Sequence, residues 1–432
     1  MKKRLTTLSA VLMAAAMLAA TAACGGNPQQ QGGDTLDAQH GIADQRNLFG
    51  MCYLLEERST ASLNIEKEVE LMKNLGVKTV RQWMHFTHFM SDPYTVKTDS
   101  VNLENMHLLL AACNEAGMVN IGMNHHNFCT TQAKTDTTAK PFARDVSEGS
   151  DYVQWLNDYY ASWKTLVAEF PEVTYWEIDN EVNNGDFMHN GTHNSYNVRQ
   201  MAQIATDMFY YASRAIHEVN PAAQTIMGGL TEPSGLGKGN TANFLQMLYD
   251  NIASGEYGYF YNVEDPANAS TNPDEYFQIA CWHPYMSDFN KENFVAINNE
   301  YYEIVLENEG KHKKVFFTEI GWNDDMIGGE QISMNFLEEM YEACKSMPYV
   351  ETVQLFKLYD NGTKNNWDGP NFLYFGLVHD PDPAHVYTQC EKSKDAINIG
   401  ENGVCITGAP KQKAYLYQAL AGGSGSLDVL WK

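Results

Sequence analysis

From residue 48 onward, short apolar runs alternate with longer stretches in which apolar residues recur at helical spacing. The runs predict buried strands and the stretches predict amphipathic helices, the alternation expected of a parallel sheet. Strands are expected at 48–54, 79–84, 119–124, 175–181, 225–228, 277–282, 314–318 and 352–358. Helices are expected at 61–75, 103–116, 152–170, 198–219, near 244–252, at 294–307, 332–345 and 411–420. The first helix shows the logic: Ile65, Val69 and Met72 share a face, and Gly76 follows its end. Asn220-Pro221 ends the helix at 198–219, because proline cannot continue it and restricts the residue before it. Eight strand–helix units without an internal repeat predict one α/β domain, a (β/α)8 TIM barrel over 46–421, with a tail at 422–432. Residues 360–410 are too long for an ordinary connection and are expected to fold over a barrel mouth.

Composition allows this: 432 residues, 44% of them hydrophobic, suffice for one large core. Ahead of it, Lys2, Lys3 and Arg4 precede an apolar run over 5–20 and then Thr21-Ala22-Ala23-Cys24. A charged start, an apolar middle and small residues before a cleavage point are the parts of a leader. The run is short for a membrane span, which needs about 20 apolar residues. Its end resembles a bacterial lipobox, which implies a signal peptide at 1–23 and lipidation of Cys24. A plain secretory leader with a chance cysteine is the alternative. Residues 24–45, rich in Gly and Gln, read as a flexible tether. The expected place is outside the cytoplasm, with the bacterial cell membrane touched only through the lipid.

The formal charge of −25, near −28 once the leader's three bases are removed, repels nucleic acid and anionic polymers and suits a neutral substrate. Cys52, Cys113, Cys281 and Cys344 fall on expected strands and helices and read as small buried hydrophobes. Cys390 and Cys405 share one long loop and are candidates for a disulfide. The cysteine spacing offers no zinc site, and nothing in the pattern sets an oligomeric state.

Two strands end alike. Tyr175-Trp176-Glu177-Ile178-Asp179-Asn180-Glu181 begins apolar and finishes on an amide and a carboxylate, and Val315-Phe316-Phe317-Thr318-Glu319 delivers a second carboxylate. Carboxylates at the C-terminal ends of two barrel strands are what cleavage of a glycosidic bond requires, one protonating the leaving group and the other attacking. Alternation puts Tyr175, Glu177, Asp179 and Glu181 on one face, so Asn180 joins Glu181 only if a bulge or strand end turns it inward. His283 and Tyr285 share a face around Pro284. Arg81 inside a barrel needs a carboxylate partner, with Glu177 and Glu319 the candidates.

With Arg81 on the second strand, Asn180-Glu181 ending the fourth, Trp282-His283-Pro284-Tyr285 at the sixth and Thr318-Glu319-Ile320-Gly321-Trp322 at the seventh, the chain resembles retaining glycoside hydrolases of clan A. Phe375-Gly376-Leu377-Val378 and Pro410-Lys411-Gln412-Lys413-Ala414-Tyr415 add a similarity to family 39 and its relatives. The resemblance implies Glu181 as acid/base and Glu319 as nucleophile. It implies Asn180 on the sugar 2-hydroxyl, Tyr285 orienting Glu319, Arg81 setting its charge, and His283 near the acid/base or the sugar. His125 and His126 follow the third strand and are placed to touch substrate, while Trp322, Trp367 and Trp83 are candidate stacking surfaces. Where many members carry a Trp at the end of strand 8, this chain has Phe356-Lys357-Leu358-Tyr359, leaving Tyr359 or Trp367 to substitute.

The expected activity is retaining hydrolysis of a β-glycosidic bond in a neutral polysaccharide or oligosaccharide, with no cofactor and no metal. A non-catalytic glycan-binding surface lipoprotein on the same barrel is the alternative. A metal-dependent hydrolase using His125, His126 and His283 lacks a bridging carboxylate at the right strand ends.

Overall fold

The computed structural model describes residues 46–58, 60, 62–124, 144–189, 195–232, 241–262, 266–360, 374–382 and 406–431. Eight parallel strands close a barrel in sequence order: β1 Phe49–Cys52, β2 Thr79–Trp83, β3 Val119–Asn124, β4 Tyr175–Asn180, β5 Gln224–Thr231, β6 Ala280–His283, β7 Val315–Ile320 and β8 Val350–Leu355. β1 closes the ring, pairing Phe49 with Val353 of β8 and Gly50 with Thr79 of β2. Helices α1 Ile65–Leu75, α2 Val101–Glu115, α3 Asp151–Glu169, α4 Val198–Val219, α5 Thr241–Ala253, α6 Lys291–Glu309, α7 Glu330–Lys345 and α8 Gln412–Ala421 follow the strands in turn. The single-domain (β/α)8 TIM barrel expected from the pattern is therefore present.

The helices begin where side chains can satisfy their free N–H groups. Asn64 accepts from Lys67 N at α1, Ser150 from Val153 N at α3, and Asn197 forms a reciprocal capping box with Gln200 at α4. Gly76 ends α1 at φ 88° and Gly310 ends α6 at φ 64°, left-handed conformations in which a Cβ is penalised. The main core lies between strands and helices. Trp155, Tyr159 and Trp163 of α3 pack there, Trp163 edge-on to Trp176 of β4 at 5.8 Å.

Sequence periodicity did not mark the hairpin of Met90–Asp92 with Thr95–Val96, nor the one-turn helices Phe86–Phe89 and Asp324–Ile327, which are too short to show a period. The tail is docked rather than loose: Leu427 is buried, and the Ser426 carbonyl accepts from Asn74 Nδ2 at 2.9 Å. Beyond β8, Val378 bridges to Tyr359 and to Pro410. This segment is pinned by buried ions. Lys411 Nζ lies 3.0 Å from Asp324 and 2.7 Å from Asp360, and Lys413 Nζ lies 2.8 Å from Asp324. Cys52, Cys113, Cys281 and Cys344 are buried free thiols, whereas Cys24, Cys390 and Cys405 lie outside the described residues.

Candidate active site

Neither strand that carries a candidate carboxylate keeps a strict period of two. In β4, Glu177 is fully buried inside the barrel, but Asp179 adopts φ 72° and its Oδ1 accepts the next backbone N–H at 2.7 Å. Asn180 is thereby turned inward, its Oδ1 accepting from Arg81 Nη2 at 3.0 Å, and Glu181 follows at φ 47°. The expectation that Asp179 shares a face with Glu177 and Glu181 is corrected. Its charge falls instead on Tyr159 of α3, whose phenol is raised well above its usual range by burial and then by Asp179. In β7, Phe317 pairs with Val353 and Ile320 with Leu355, so three steps oppose two. That bulge brings Thr318 and Glu319 both to the interior.

Arg81 joins the two strands. Its Nε and Nη2 donate to Glu177 at 2.6 and 3.1 Å, and Nη1 donates to Glu319 Oε1 at 2.6 Å. A buried guanidinium is costly unless paired and hydrogen-bonded, and three side chains meet that need. Burial alone would raise the Glu177 carboxyl, but the charge of Arg81 and hydrogen bonds from His283 and Arg81 outweigh it and hold it below the usual range. Tyr285 donates to Glu319 Oε2 at 3.2 Å. Burial and then the Glu319 charge push its phenol well up, so it stays a donor.

His283 is the hinge of the site. Thr318 Oγ1 donates to Glu177 Oε1 at 2.9 Å, so at its 3.0 Å contact with His283 Nε2 the ring must be the donor. Nδ1 meets Glu181 Oε1 at 3.0 Å and Glu319 Oε2 at 3.8 Å. Burial opposes charge on the imidazole, but Glu319, Glu177 and Glu181 together raise it to about 9. One carboxylate oxygen of Glu181 and one of Glu319 lie within 4.8 Å of each other. Glu181 also accepts from Asn184 Nδ2 at 3.1 Å.

An apolar patch of Cys52, Leu54, Trp83, Met123 and Phe356 lies beside these groups, with Tyr285 and Phe375 packed on it. A narrow cleft opens alongside, lined among others by Leu54, Arg58, Lys357 and Tyr359. Tyr359 packs edge-on to Tyr53 with Arg58 over its ring, so Phe356 is the aromatic side chain that β8's end adds to the Tyr285 patch. Trp322 is a correction: it is 4% exposed, wedged against Phe289 and Phe336, and donates to the Met286 carbonyl, so it packs rather than offering a stacking face. His125, His126 and Trp367 lie outside the described residues. Thr318, Asn184, Phe356 and Phe375 were missed. Thr318, Phe356 and Phe375 stood inside stretches already singled out but were given no role there, and Asn184 follows the fourth strand's motif.

A family model described as cellulase, glycosyl hydrolase family 5, matches residues 38–346. The chain belongs to glycosyl hydrolase family 5. Family 39, whose flavour the terminal motifs carry, appears among the structural relatives of this family-5 chain. A family 39 glycoside hydrolase from Bacteroides cellulosilyticus WH2 is 16% identical with a TM-score of 0.55, covering 88% of this chain and 64% of that one. The virulence factor SghA from Agrobacterium tumefaciens is 13% identical with a TM-score of 0.57, covering 89% and 98%. The family 1 β-glucosidase from Thermotoga maritima is 12% identical with a TM-score of 0.54, covering 88% and 98%. At such identities these structures share the fold with this chain. No curated protein matches this chain.

Proposed function

We propose that this family-5 glycoside hydrolase cleaves a β-glycosidic bond of a neutral glycan with retention, Glu181 acting as acid/base and Glu319 as nucleophile. The observation that carries the reading is the approach of the two carboxylates to within 4.8 Å. Retaining enzymes hold the pair about 5–5.5 Å apart, and inverting enzymes leave about 6.5–9.5 Å for a water. The two carboxylates also have different partners. Glu319 is oriented by Arg81 and Tyr285, while Glu181 faces the donor nitrogen of His283 and the amide of Asn184.

In the first step a Glu319 oxygen forms a bond to the anomeric carbon, the bond to the leaving oxygen breaks, and that oxygen takes the proton from Glu181. In the second, water attacks the anomeric carbon, Glu181 takes its proton, and the ester bond to Glu319 breaks. Asn180, held inward by Arg81, would hydrogen-bond the sugar 2-hydroxyl. Loss of the Glu319 charge in the glycosyl ester removes the main electrostatic support of the His283 cation, which makes the His283–Glu181 pair a readier base for the second step. A chain of charge −25 favours uncharged substrates, and a lipid at Cys24 would hold it at the outer face of the cell membrane.

Product release from a panel of neutral β-glucans, xylans, mannans and galactans tests this. The parent chain is expected to cleave one class, and Glu181→Gln to lose about 100- to 10,000-fold in kcat on it. Glu319→Gln is expected to abolish release; release that survives it sinks the assignment of the nucleophile.

A further inference from the structure

We propose that Glu56, His85 and His88 form a binding site for one divalent transition-metal ion at the barrel rim, with Zn2+ the best-matched ion. Glu56 lies in the turn Leu55–Glu57 after β1, while His85 precedes and His88 lies within the one-turn helix Phe86–Phe89 after β2. The Nδ1 atoms of both histidines converge on the same oxygen, Glu56 Oε2, at 3.7 Å for His85 and 3.2 Å for His88. One donor atom from each residue lies within 4.8 Å of the other two. Tetrahedral zinc with bonds of about 2.0–2.1 Å sets its ligand atoms about 3.4 Å apart, and the separations of 3.2 and 3.7 Å straddle that value. A plain hydrogen-bonded cluster explains them less well, since 3.7 Å is beyond hydrogen-bond reach.

The chemistry of the donors agrees. Two imidazole nitrogens and a carboxylate oxygen are donor types that Zn2+ takes. The rings are held in place: His85 stacks on Trp83 at 5.8 Å and lies 4.8 Å from His88. The other two metal-compatible groups among the described residues are Glu177 with Cys281 and His283, and Glu181 with His283 and Glu319. Those are already occupied by positive charge, because Arg81 bridges Glu177 and Glu319 and His283 is itself cationic. An ion at Glu56 would tie the β1 and β2 loops together and fix Trp83 at the mouth. It would take no part in the two-carboxylate chemistry, and the inference does not rest on the glycosidase reading.

Titration calorimetry of the untagged, chelator-stripped full chain with Zn2+ is the test, with Co2+ absorbance as a second readout. One equivalent of Zn2+ is expected to bind, and Co2+ is expected to give the visible band of a tetrahedral site. His88→Ala and Glu56→Gln, both at partly exposed side chains, are expected to weaken binding by at least about 100-fold, the upper end of what even an outer-shell change costs a metal site. Absence of binding, or equal binding in both variants, would overturn the proposal. So would loss of binding in His283→Gln alone, which would move the ion to the carboxylate pair.

Discussion

At the residue scale, the site is a balance of buried charges in which each group fixes the next. Arg81 supplies the cation that lets Glu177 and Glu319 lie together, and Glu177 in turn anchors Thr318, whose oxygen orients His283. His283 gives this balance a pH signature. Its folded-state value is about 9 against an ordinary 6.5, so the stabilising proton is bound more tightly in the folded chain. The contribution, about 3 kcal/mol, is complete below pH of about 6.5 and is lost as pH rises through about 9. Urea unfolding across this range is expected to show the loss in the parent and a flatter profile in His283→Gln. An unchanged slope in the variant would assign the pH dependence elsewhere. Arg81's pairing with Glu177 and Glu319 was legible in the sequence, because a buried arginine on a strand must find carboxylates and only two sat at the right depth. Trp322 was not legible: a tryptophan beside a catalytic motif looks the same whether it stacks on sugar or on Phe289.

At the element scale, strands and helices followed from periodicity, but β6 starts three residues later and β8 ends three residues earlier than the pattern predicts. What periodicity could not reveal were its own interruptions, the left-handed Asp179 in β4 and the bulge at Thr318–Glu319 in β7. Both interruptions point side chains into the mouth that regular strands would send away. β5 contributes by what it lacks. A Cβ on Gly229 would fall 2.2 Å from His283 Nε2, and one on Gly228 would fall 2.5 Å from the Ile178 carbonyl. Gly229→Ala is therefore expected to fold but to displace the imidazole, lowering kcat/KM about 100-fold, the cost of a displacement of about 1 Å at a reacting centre. Kinetics beside circular dichroism checks this, and full activity in a folded variant would show that His283 has room to spare.

At the scale of the whole molecule, Arg46 donates to the Met347 and Val350 carbonyls at 2.9 Å each, at the start of β8. The chain thus enters the barrel at the face opposite the mouth. A tether over 24–45 reaches at most about 70–80 Å when extended. Lipidation at Cys24 would then let the barrel range up to that distance from the membrane surface. Cys24→Ser is expected to move the protein from the membrane fraction to the soluble one; retention on the membrane would favour another anchor. The central claim for the whole molecule remains double displacement at Glu319 and Glu181. The most direct measurement is proton NMR of the first anomer released from the glycan that the substrate panel singles out, recorded before mutarotation. The account predicts the β-anomer, retained from the substrate; first appearance of the α-anomer would contradict it.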